Sequence, residues 1–597
     1  MINSEHKFHI PVLGVGFSVD TPVKVSKYGI SSVISLVDDT LMEKLRRHYS
    51  EKMNKPYEPI SSKDYDSRAS RITAYLNMMN RIVKEQFEAL RNSAFSKGSE
   101  ISKYFEMLPD FSSLKMKYNE MLSSRDECVI KKLQAWLREN ICPGSIDVNI
   151  MSKLDNGRYT AEGQALPMEF NDAHAALRGF AQSELESAII FSAGMNPKLY
   201  SYLENFEDFY PAGDGRMKKK IIIKVSDFRS ALIQGKFLAK KGLWISEYRI
   251  ESGLNCGGHA FASDGQLMGP ILGEFKDKRD ELFRSVREIY LEALKKKNIT
   301  LDPSALEIDV TVQGGVGKSE EQNFLLRYFE VKSVGWGSPF LLVPEVMNVD
   351  ENTLQKLSQA GEEDLYLSGI SPLGVPFNSV RNNGKELERM ERVKSGKAGS
   401  ACPKKFLQSS KEFSDRPLCT ASITFMNKKM KSLKEMGLSE EEYKKEFDKA
   451  AEKTCLCEGL GASALIVNGI ETPKQSQAVA VCPGPNLAYF SKVTGLKEMV
   501  DHIYGRINLI THPSRPNMFV KELSLYVDYF FKKASESLKP YPQQTETFLK
   551  TFRTNLLEGI KYYKGMIPDI TEETEKVRQK MREEIEKFEA KLLGFGI

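Results

Sequence analysis

The chain has 597 residues, of which 41% are hydrophobic and 28% charged, and 85 Lys and Arg against 80 Asp and Glu give a net charge of +5. This length exceeds one ordinary core, so a large domain with additions, or two to three domains, is expected. The balanced charge, with no basic stripe among aromatic residues, argues against nucleic acid as a partner. The short basic run 218–220 is interpreted as the entry to a strand.

The first residues, MINSEHKFHIPVLG, lack a basic segment followed by an apolar one, and no run of 18 or more apolar residues occurs in the chain. We therefore expect a soluble, cytoplasmic protein with no membrane partner. The 8 cysteines are then expected to be thiols or metal ligands and not disulfides, because that compartment is reducing.

Short apolar runs alternate with helical patterns along the first 344 residues. Such alternation predicts parallel strands joined by right-handed helical crossovers, and eight of them predict an α/β fold of the (β/α)8 TIM-barrel type. The predicted strands lie within residues 8–17, 30–39, 145–154, 187–195, 218–225 and 243–252, with the last two in 308–344.

Two regions interrupt or follow this pattern. Residues from about 40 to 140 are polar with apolar positions at helical spacing, which predicts a helical insertion over the mouth or side of the barrel. We predict that residues 1–345 form the barrel domain and that 346–597 form a mixed, mostly helical, cysteine-bearing region. No low-complexity linker separates the two, so we expect them to pack together.

Two glycine turns end the last two predicted strands, Gly314-Gly315-Val316-Gly317 and Gly335-Trp336-Gly337-Ser338. In a (β/α)8 barrel the loops after strands seven and eight lie side by side, and their bare backbone N–H groups can bind one phosphate. Ser338 could add a hydroxyl. Tight turns with no ligand are the alternative interpretation.

A histidine follows two glycines at the end of the sixth strand, in Gly257-Gly258-His259. Glycine backbone can lie close under a planar ligand, and an imidazole can accept or donate a proton near neutral pH. Beside a phosphate-binding turn we expect His259 to act as an acid or base. The alternative is a hydrogen-bonded structural histidine.

The chain resembles the nitronate monooxygenases (2-nitropropane dioxygenases) and the related flavin-containing enoyl-acyl-carrier-protein reductases. The similarity is carried by IPVLGVGFSVDTP at the first strand, IDVNIM at the third, Gly257-Gly258-His259 at the sixth, VQGGVG at the seventh and VGWGSPFL at the eighth. The resemblance implies an FMN-dependent oxidoreductase acting on a small or acyl substrate, with its electron partner and oligomeric state open.

The resemblance also implies roles for particular residues. His259 would take the place of the catalytic histidine, and Lys224 would place a positive charge near the flavin, although it could equally be an exposed strand-end lysine. The implied FMN-binding residues are Gly14, Gly16, Asn149, Lys224, Gly257, Gly258, Gln313, Gly314, Gly315, Gly317, Gly335, Gly337 and Ser338.

The sequence SGLNCGGHAF and the later cysteines are also similar to the FMN barrel of glutamate synthases, which would add an iron–sulfur cluster. The candidate ligands for such a cluster, or for zinc, are Cys402, Cys419, Cys455, Cys457 and Cys482. Only Cys455 and Cys457 are closely spaced, so buried or redox-active thiols remain an alternative. A barrel that binds a phosphorylated metabolite without turnover is a further alternative.

Overall fold

Eight parallel strands form a closed barrel in the computed structural model, which describes residues 5–160, 162–473, 475–536 and 540–596. Each strand pairs with the next along the chain and the last pairs with the first, which confirms the predicted (β/α)8 fold. The barrel strands are β1 (Phe8–Ile10), β2 (Ser31–Ser35), β3 (Ile146–Ile150), β4 (Ser187–Phe191), β5 (Lys219–Val225), β6 (Ile245–Glu251), β7 (Asp309–Gln313) and β8 (Ser333–Gly335).

The first strand is shorter than the predicted run to Phe17. It ends at Ile10 because Pro11 follows, and proline has no N–H to donate to a sheet ladder. The chain then turns through Gly14, whose φ is +55°, toward a helix that contains Pro22 in its first turn. This part of the predicted strand is therefore a loop at the barrel mouth.

Part of the barrel interior is polar, and β6 supplies polar groups to it because its side chains alternate between the two faces of the sheet. Tyr248 points outward, with its ring 6.2 Å from that of Phe275 in the outer helices. Arg249 points inward, is buried, and donates to Glu247 (2.8 Å) and to Thr311 of β7 (3.2 Å). A layer of paired charges thus lies beneath the mouth, where barrels usually hold branched apolar residues.

In the described part of the barrel region, twelve α-helices accompany the strands, and five of them form the predicted insertion between β2 and β3. The long helix of this insertion packs beside the next barrel helix, where Thr73 donates to the carbonyl of Gly179 (2.9 Å). The helices are α1 (Thr21–Val25), α2 (Asp39–Lys52), α3 (Ser67–Asn92), α4 (Glu100–Met107), α5 (Ser113–Ser123), α6 (Glu127–Asn140), α7 (Asp172–Ala181), α8 (Pro197–Tyr202), α9 (Phe228–Ala239), α10 (Met268–Asp277), α11 (Arg279–Lys296) and α12 (Ser319–Tyr328).

The chain after the barrel is mainly helical and folds back over the barrel mouth. It contains an antiparallel pair of strands, β9 (Leu365–Ser368) and β10 (Phe377–Val380), and nine α-helices within the described ranges. These are α13 (Glu351–Gln359), α14 (Gly384–Lys394), α15 (Ile423–Glu435), α16 (Glu440–Ala451), α17 (Leu456–Val467), α18 (Leu496–Ile503), α19 (Met518–Ser535), α20 (Gln543–Met566) and α21 (Glu575–Leu593).

Buried polar contacts join this C-terminal region to the end of β6. Glu522 of α19 is fully buried, accepts a hydrogen bond from Ser252 (2.5 Å) and also accepts from Tyr563 (2.8 Å). Burial raises the pKa of its carboxyl group. Removal of either hydroxyl would leave a buried acceptor with one partner fewer, so these contacts hold α19 and α20 in place.

No helix in the described ranges is both long enough and apolar enough to cross a bilayer. The absence of a targeting segment was predicted partly from residues 1–4, which lie outside the described residues. Cytoplasmic localisation stays a prediction.

Candidate active site

A cavity of about 340 Å³ lies at the carboxyl ends of the barrel strands. All eight strands or the loops that directly follow them contribute to its lining, and segments of the C-terminal region cover the other side. The carboxyl end of the strands is where (β/α)8 enzymes carry their active sites, and the volume is within the range of small-molecule sites.

The two predicted glycine turns meet in this cavity. Gly335 of β8 is in register with Gln313 of β7 on one side and with His9 of β1 on the other, so the turns that follow these residues are neighbours. Among the described residues, none accepts a hydrogen bond from the backbone N–H of Gly314, Gly315, Gly337 or Ser338. These donors line the cavity and are available to an anion such as a phosphate.

The first turn depends on glycine at position 315. Gly315 has a φ of +76°, and a Cβ atom there would lie 2.0 Å from Nδ2 of Asn255. Asn255 cannot easily move away, because it is buried and Nδ2 donates to the carbonyl of Met518 (3.3 Å). A side chain at position 315 would therefore displace the turn.

The second turn carries a hydroxyl into the same part of the cavity. Oγ of Ser338 accepts a hydrogen bond from the N–H of Gly484 (2.7 Å), which leaves the hydroxyl hydrogen free to be donated to a ligand. Gly484 also packs against Gly257, whose added Cβ would lie 2.4 Å from the carbonyl oxygen of Cys482. The C-terminal segment around Gly484 thus holds both the β8 turn and the β6 turn.

Two amide side chains in the cavity have buried acceptor atoms without partners. Oδ1 of Asn149 and Oε1 of Gln313 receive no hydrogen bond from the described residues, although both side chains line the cavity. Nε2 of Gln313 is engaged, since it donates to Glu251 (2.6 Å). Buried acceptors are nearly always satisfied in proteins, so these oxygens indicate a ligand with N–H or O–H groups.

Lys224 is not the exposed strand-end lysine that the sequence also allowed. Its ammonium group lies 3.1 Å from Glu251, and its side chain is only 14% exposed. Lys224 holds the pKa of Glu251 below its usual value in spite of the burial of that carboxyl group. The pair faces the cavity and presents one positive and one negative group to a ligand.

His259 lies in the lining of the cavity and is held from the C-terminal region. Its Nε2 is 2.7 Å from Oγ of Ser371, and the ring meets Phe377 edge-on with centroids 4.9 Å apart. Burial, together with the positive charge of Lys153, lowers the pKa of His259 to about 4. The imidazole is therefore neutral at pH 7, and no described residue hydrogen-bonds to its Nδ1.

Two of the predicted cofactor-binding residues, Gly16 and Gly317, lie outside the cavity lining. The N–H of Gly16 donates to the carbonyl of Leu460 (2.8 Å), so this residue contacts α17. The N–H of Gly317 donates to Oε2 of Glu321 (2.9 Å) and is not free for a phosphate. The other predicted cofactor-binding residues all line the cavity: Gly14, Asn149, Lys224, Gly257, Gly258, Gln313, Gly314, Gly315, Gly335, Gly337 and Ser338.

Sequence reasoning did not find the C-terminal residues that support the β7 turn. Arg515 donates to the carbonyl oxygen of Gly315 (2.8 Å), to Oδ1 of Asn486 (2.9 Å) and to both oxygens of Glu321 (2.7 and 2.9 Å). Asn486 in turn donates to the carbonyl of Val316 (2.8 Å). These residues lie in irregular stretches with no motif, so no sequence signal pointed to them.

The C-terminal region also supplies an apolar wall. Its residues in the lining are mostly large and apolar, and they lie opposite the barrel turns. The sequence did not predict this wall, because isolated apolar residues in a turn-rich segment do not indicate which part of the structure they face. The lining residues from this region are Leu373, Phe377, Phe406, Leu407, Leu456, Cys457, Leu460, Cys482 and Asn486.

The predicted cysteine metal site is not found. No group of three or more His, Cys, Asp or Glu residues that could hold a metal ion occurs in the described ranges, which include all five candidate cysteines. Cys402 packs against Cys419, Cys455 precedes α17, and Cys457 and Cys482 line the cavity. The structure therefore does not support the predicted iron–sulfur cluster or zinc at these cysteines.

Comparison with known proteins gave no matching family model and no matching curated protein. Solved structures with similar parts include a mutant of FabK from Thermotoga maritima (12% identity, 67% of this chain and 83% of that chain, TM-score 0.29). The enoyl reductase domain of MlnA from Bacillus amyloliquefaciens has 13% identity over 66% of this chain and 91% of that chain (TM-score 0.34). Nitroalkane oxidase from Streptomyces ansochromogenes has 10% identity over 84% and 94%, with a TM-score of 0.34.

Proposed function

We propose that this protein is an FMN-dependent oxidoreductase of the nitronate monooxygenase type, in which His259 acts as acid or base. The observation that carries the proposal is the meeting of two glycine turns with unpaired N–H groups in a cavity that also contains a neutral histidine. A phosphate tail would bind the turns, and a planar polar ring would lie toward His259.

Several independent features of the cavity match the groups of FMN. The turns offer N–H donors and the Ser338 hydroxyl to the phosphate, while Oδ1 of Asn149 and Oε1 of Gln313 would accept from the N–H and O–H groups of the cofactor. Lys224 would stabilise negative charge on the pyrimidine side. When bound, FMN supplies a two-electron redox centre that accepts hydride or electrons at N5.

The residues of the protein would bind and orient the substrate and would transfer a proton. The apolar wall would exclude water from the reacting centre, and Ser371 would fix the ring of His259 through its contact with Nε2. Nδ1 of the neutral imidazole would then take the proton from the carbon next to a nitro group. With an enoyl thioester, the substrate of the alternative reaction, the same nitrogen would assist proton delivery.

A visible spectrum of the purified protein tests the proposal directly. We expect flavin absorption bands that bleach on anaerobic reduction, with no stoichiometric iron or zinc in the same sample. A colourless protein whose spectrum does not change when FMN is added would contradict the proposal and favour a barrel that binds another phosphorylated metabolite. Bleaching of the oxidised flavin by a nitroalkane or its nitronate, compared with return of the flavin bands when an enoyl thioester is added to the reduced protein, would identify the substrate class.

Gly315→Ala should weaken FMN binding by about tenfold or more. The methyl group meets Asn255 and forces the backbone out of a conformation that costs alanine about 1–3 kcal/mol, and about 1.4 kcal/mol corresponds to a tenfold change in affinity. The dissociation constant of FMN, measured by quenching of flavin fluorescence during titration of the apoprotein, provides the test.

Gly396→Ala is the matched control for this variant. Gly396 has a φ of +72° and no atom within 4 Å of an added Cβ, so the alanine there has the same backbone strain without the contact. This control should bind FMN like the wild type. Equal FMN affinity in both variants would show that the β7 turn does not hold the cofactor.

Ser371→Ala should slow flavin reduction by a nitroalkane about 2- to 12-fold without removing the imidazole. The variant loses the hydrogen bond to Nε2, and a bond of this kind contributes about 0.5–1.5 kcal/mol. Anaerobic stopped-flow absorption measures the rate, and bound FMN per protein serves as the control. A rate equal to that of the wild type would exclude Ser371 as a positioning residue.

A further inference from the structure

Two buried cysteines face each other across one loop of the C-terminal region. We call residues 400–422 the thiol loop; its two ends are held together, because the N–H of Ser400 donates to the carbonyl of Ala421 (2.8 Å) and that of Ile423 to Ser400 (2.9 Å). Within it, Cys402 and Cys419 pack together with Ala421 as a small buried cluster, and both are free thiols. The closed ends therefore keep the two sulfur atoms together.

The two thiols differ in access and in acidity. Cys402 is 6% exposed and has exposed residues on both sides, Ala401 and Pro403, whereas Cys419 is 2% exposed. The neighbouring thiol of Cys419 and the positive charge of Lys405 lower the pKa of Cys402, while the proximity of Cys402 and burial raise the pKa of Cys419. A more acidic, more accessible thiol beside a less acidic one is the arrangement of an attacking and a resolving cysteine.

The thiol loop also belongs to the wall of the cavity. Phe406 and Leu407 lie in the cavity lining four and five residues after Cys402. Next to Cys419, the hydroxyl of Thr420 donates to the carbonyl of Pro372 (2.9 Å), and the preceding residue Ser371 bonds to His259. A covalent bond between Cys402 and Cys419 would thus lie in a loop that contributes to the apolar wall and contacts the segment that holds His259.

We propose that Cys402 and Cys419 form a reversible disulfide by exchange with a low-molecular-weight disulfide. The Cys402 thiolate attacks one sulfur of the external disulfide, whose S–S bond breaks and releases one thiolate. Cys419 then attacks the sulfur of Cys402 in the mixed disulfide and releases the second thiolate. The two cysteines lose two electrons and two protons, and the external disulfide becomes two thiols. The step requires neither bound FMN nor a substrate.

Mapping of thiols in the full-length protein tests this inference. The protein is incubated under native conditions with reduced dithiothreitol or with an excess of oxidised glutathione, quenched in acid, denatured, alkylated and digested. We expect a peptide pair joined through Cys402 and Cys419 only after oxidation, and its loss when dithiothreitol is added back. The exposed Cys128 serves as an internal control for reagent access.

Single substitutions separate the two roles. Cys419→Ser should trap glutathione on Cys402, because no resolving thiol remains, whereas Cys402→Ser should leave Cys419 unmodified. Cys128→Ser should form the Cys402–Cys419 disulfide like the wild type.

Three results would overturn the inference, and the first two can be read from the wild type alone. The first is full alkylation of both cysteines after oxidation. The second is a disulfide from either residue to Cys455 or Cys457. These two cysteines are close enough to Cys402 or Cys419 to interact with them electrostatically. The third is stoichiometric iron or zinc in the wild type that is absent from Cys402→Ser.

Discussion

His259→Ala should slow anaerobic reduction of the bound flavin by a neutral nitroalkane by about 10²- to 10⁴-fold, the usual contribution of a general base. FMN should stay bound, because no contact of the imidazole within the described structure involves either glycine turn. The variant removes the neutral nitrogen Nδ1 that we propose as the proton acceptor. Stopped-flow absorption measures the rate, and the flavin content of the purified variant shows whether the site is intact.

The preformed nitronate provides a control that separates proton transfer from the redox step. A nitronate has already lost the proton that His259 would take. The flavin bound to the His259→Ala variant should therefore be reduced by the nitronate at a rate close to that of the wild type. Loss of activity with both forms would indicate that His259 orients the substrate and does not act as a base. Unchanged activity with the nitroalkane would remove the residue from the mechanism.

The pH dependence of the wild type follows from the same group. Burial and Lys153 lower the pKa of His259 to about 4, so the neutral, proton-accepting form predominates above that value. The value of kcat/KM for the neutral nitroalkane should therefore be independent of this group near pH 7 and should fall as the pH decreases through about 4. A decrease centred near 6.5, the ordinary pKa of histidine, would mean that the imidazole is not buried as described.

Arg515→Met should lower the free energy of unfolding by about 3–5 kcal/mol, the usual effect of removing one partner of a buried ion pair. Arg515 and Glu321 are 2% and 0% exposed, and their side chains meet at 2.7 Å. The substitution leaves the carboxylate of Glu321 buried without its cation and removes the support of the Gly315 carbonyl. Urea denaturation, monitored by circular dichroism, measures the change.

Two further variants make this test specific. Adding Glu321→Gln to Arg515→Met should restore part of the lost stability, because the second substitution removes the unpaired buried charge. Arg47→Met removes one partner of an exposed pair, with side chains 67% and 61% exposed, and should leave the denaturation midpoint unchanged. If Arg515→Met and Arg47→Met had equal midpoints, the buried pair would not stabilise the fold.

Local sequence patterns determined the barrel and the order of its strands. Runs such as KKIIIKV and DVTVQ have the β-branched composition of buried parallel strands, and the eight runs occurred in the order in which the strands pair. The glycines at 314, 315, 335 and 337 could be assigned to the mouth because each follows or ends a strand, and a strand fixes the direction of its carboxyl end. His259 was found for the same reason.

Tertiary structure decided which groups act on one another. Gly317 looked equivalent to Gly315 in sequence, but its N–H donates to the side chain of Glu321, four residues later. The same carboxylate is bound by Arg515, which is almost two hundred residues away in the chain. Lys224 could be judged paired or exposed only once Glu251 of the neighbouring strand was placed beside it. The cysteines could be judged only from their positions in space.

The sequence alone therefore determined the fold class, the glycine turns and the histidine at the barrel mouth, because each depends on residues close together in the chain. It did not determine the partners of those residues: Ser371 for His259, Gly484 for Ser338, and Arg515 for the Gly315 carbonyl. Those contacts arise when the C-terminal region folds over the barrel, and the packing that brings distant side chains together leaves no periodic pattern in the sequence.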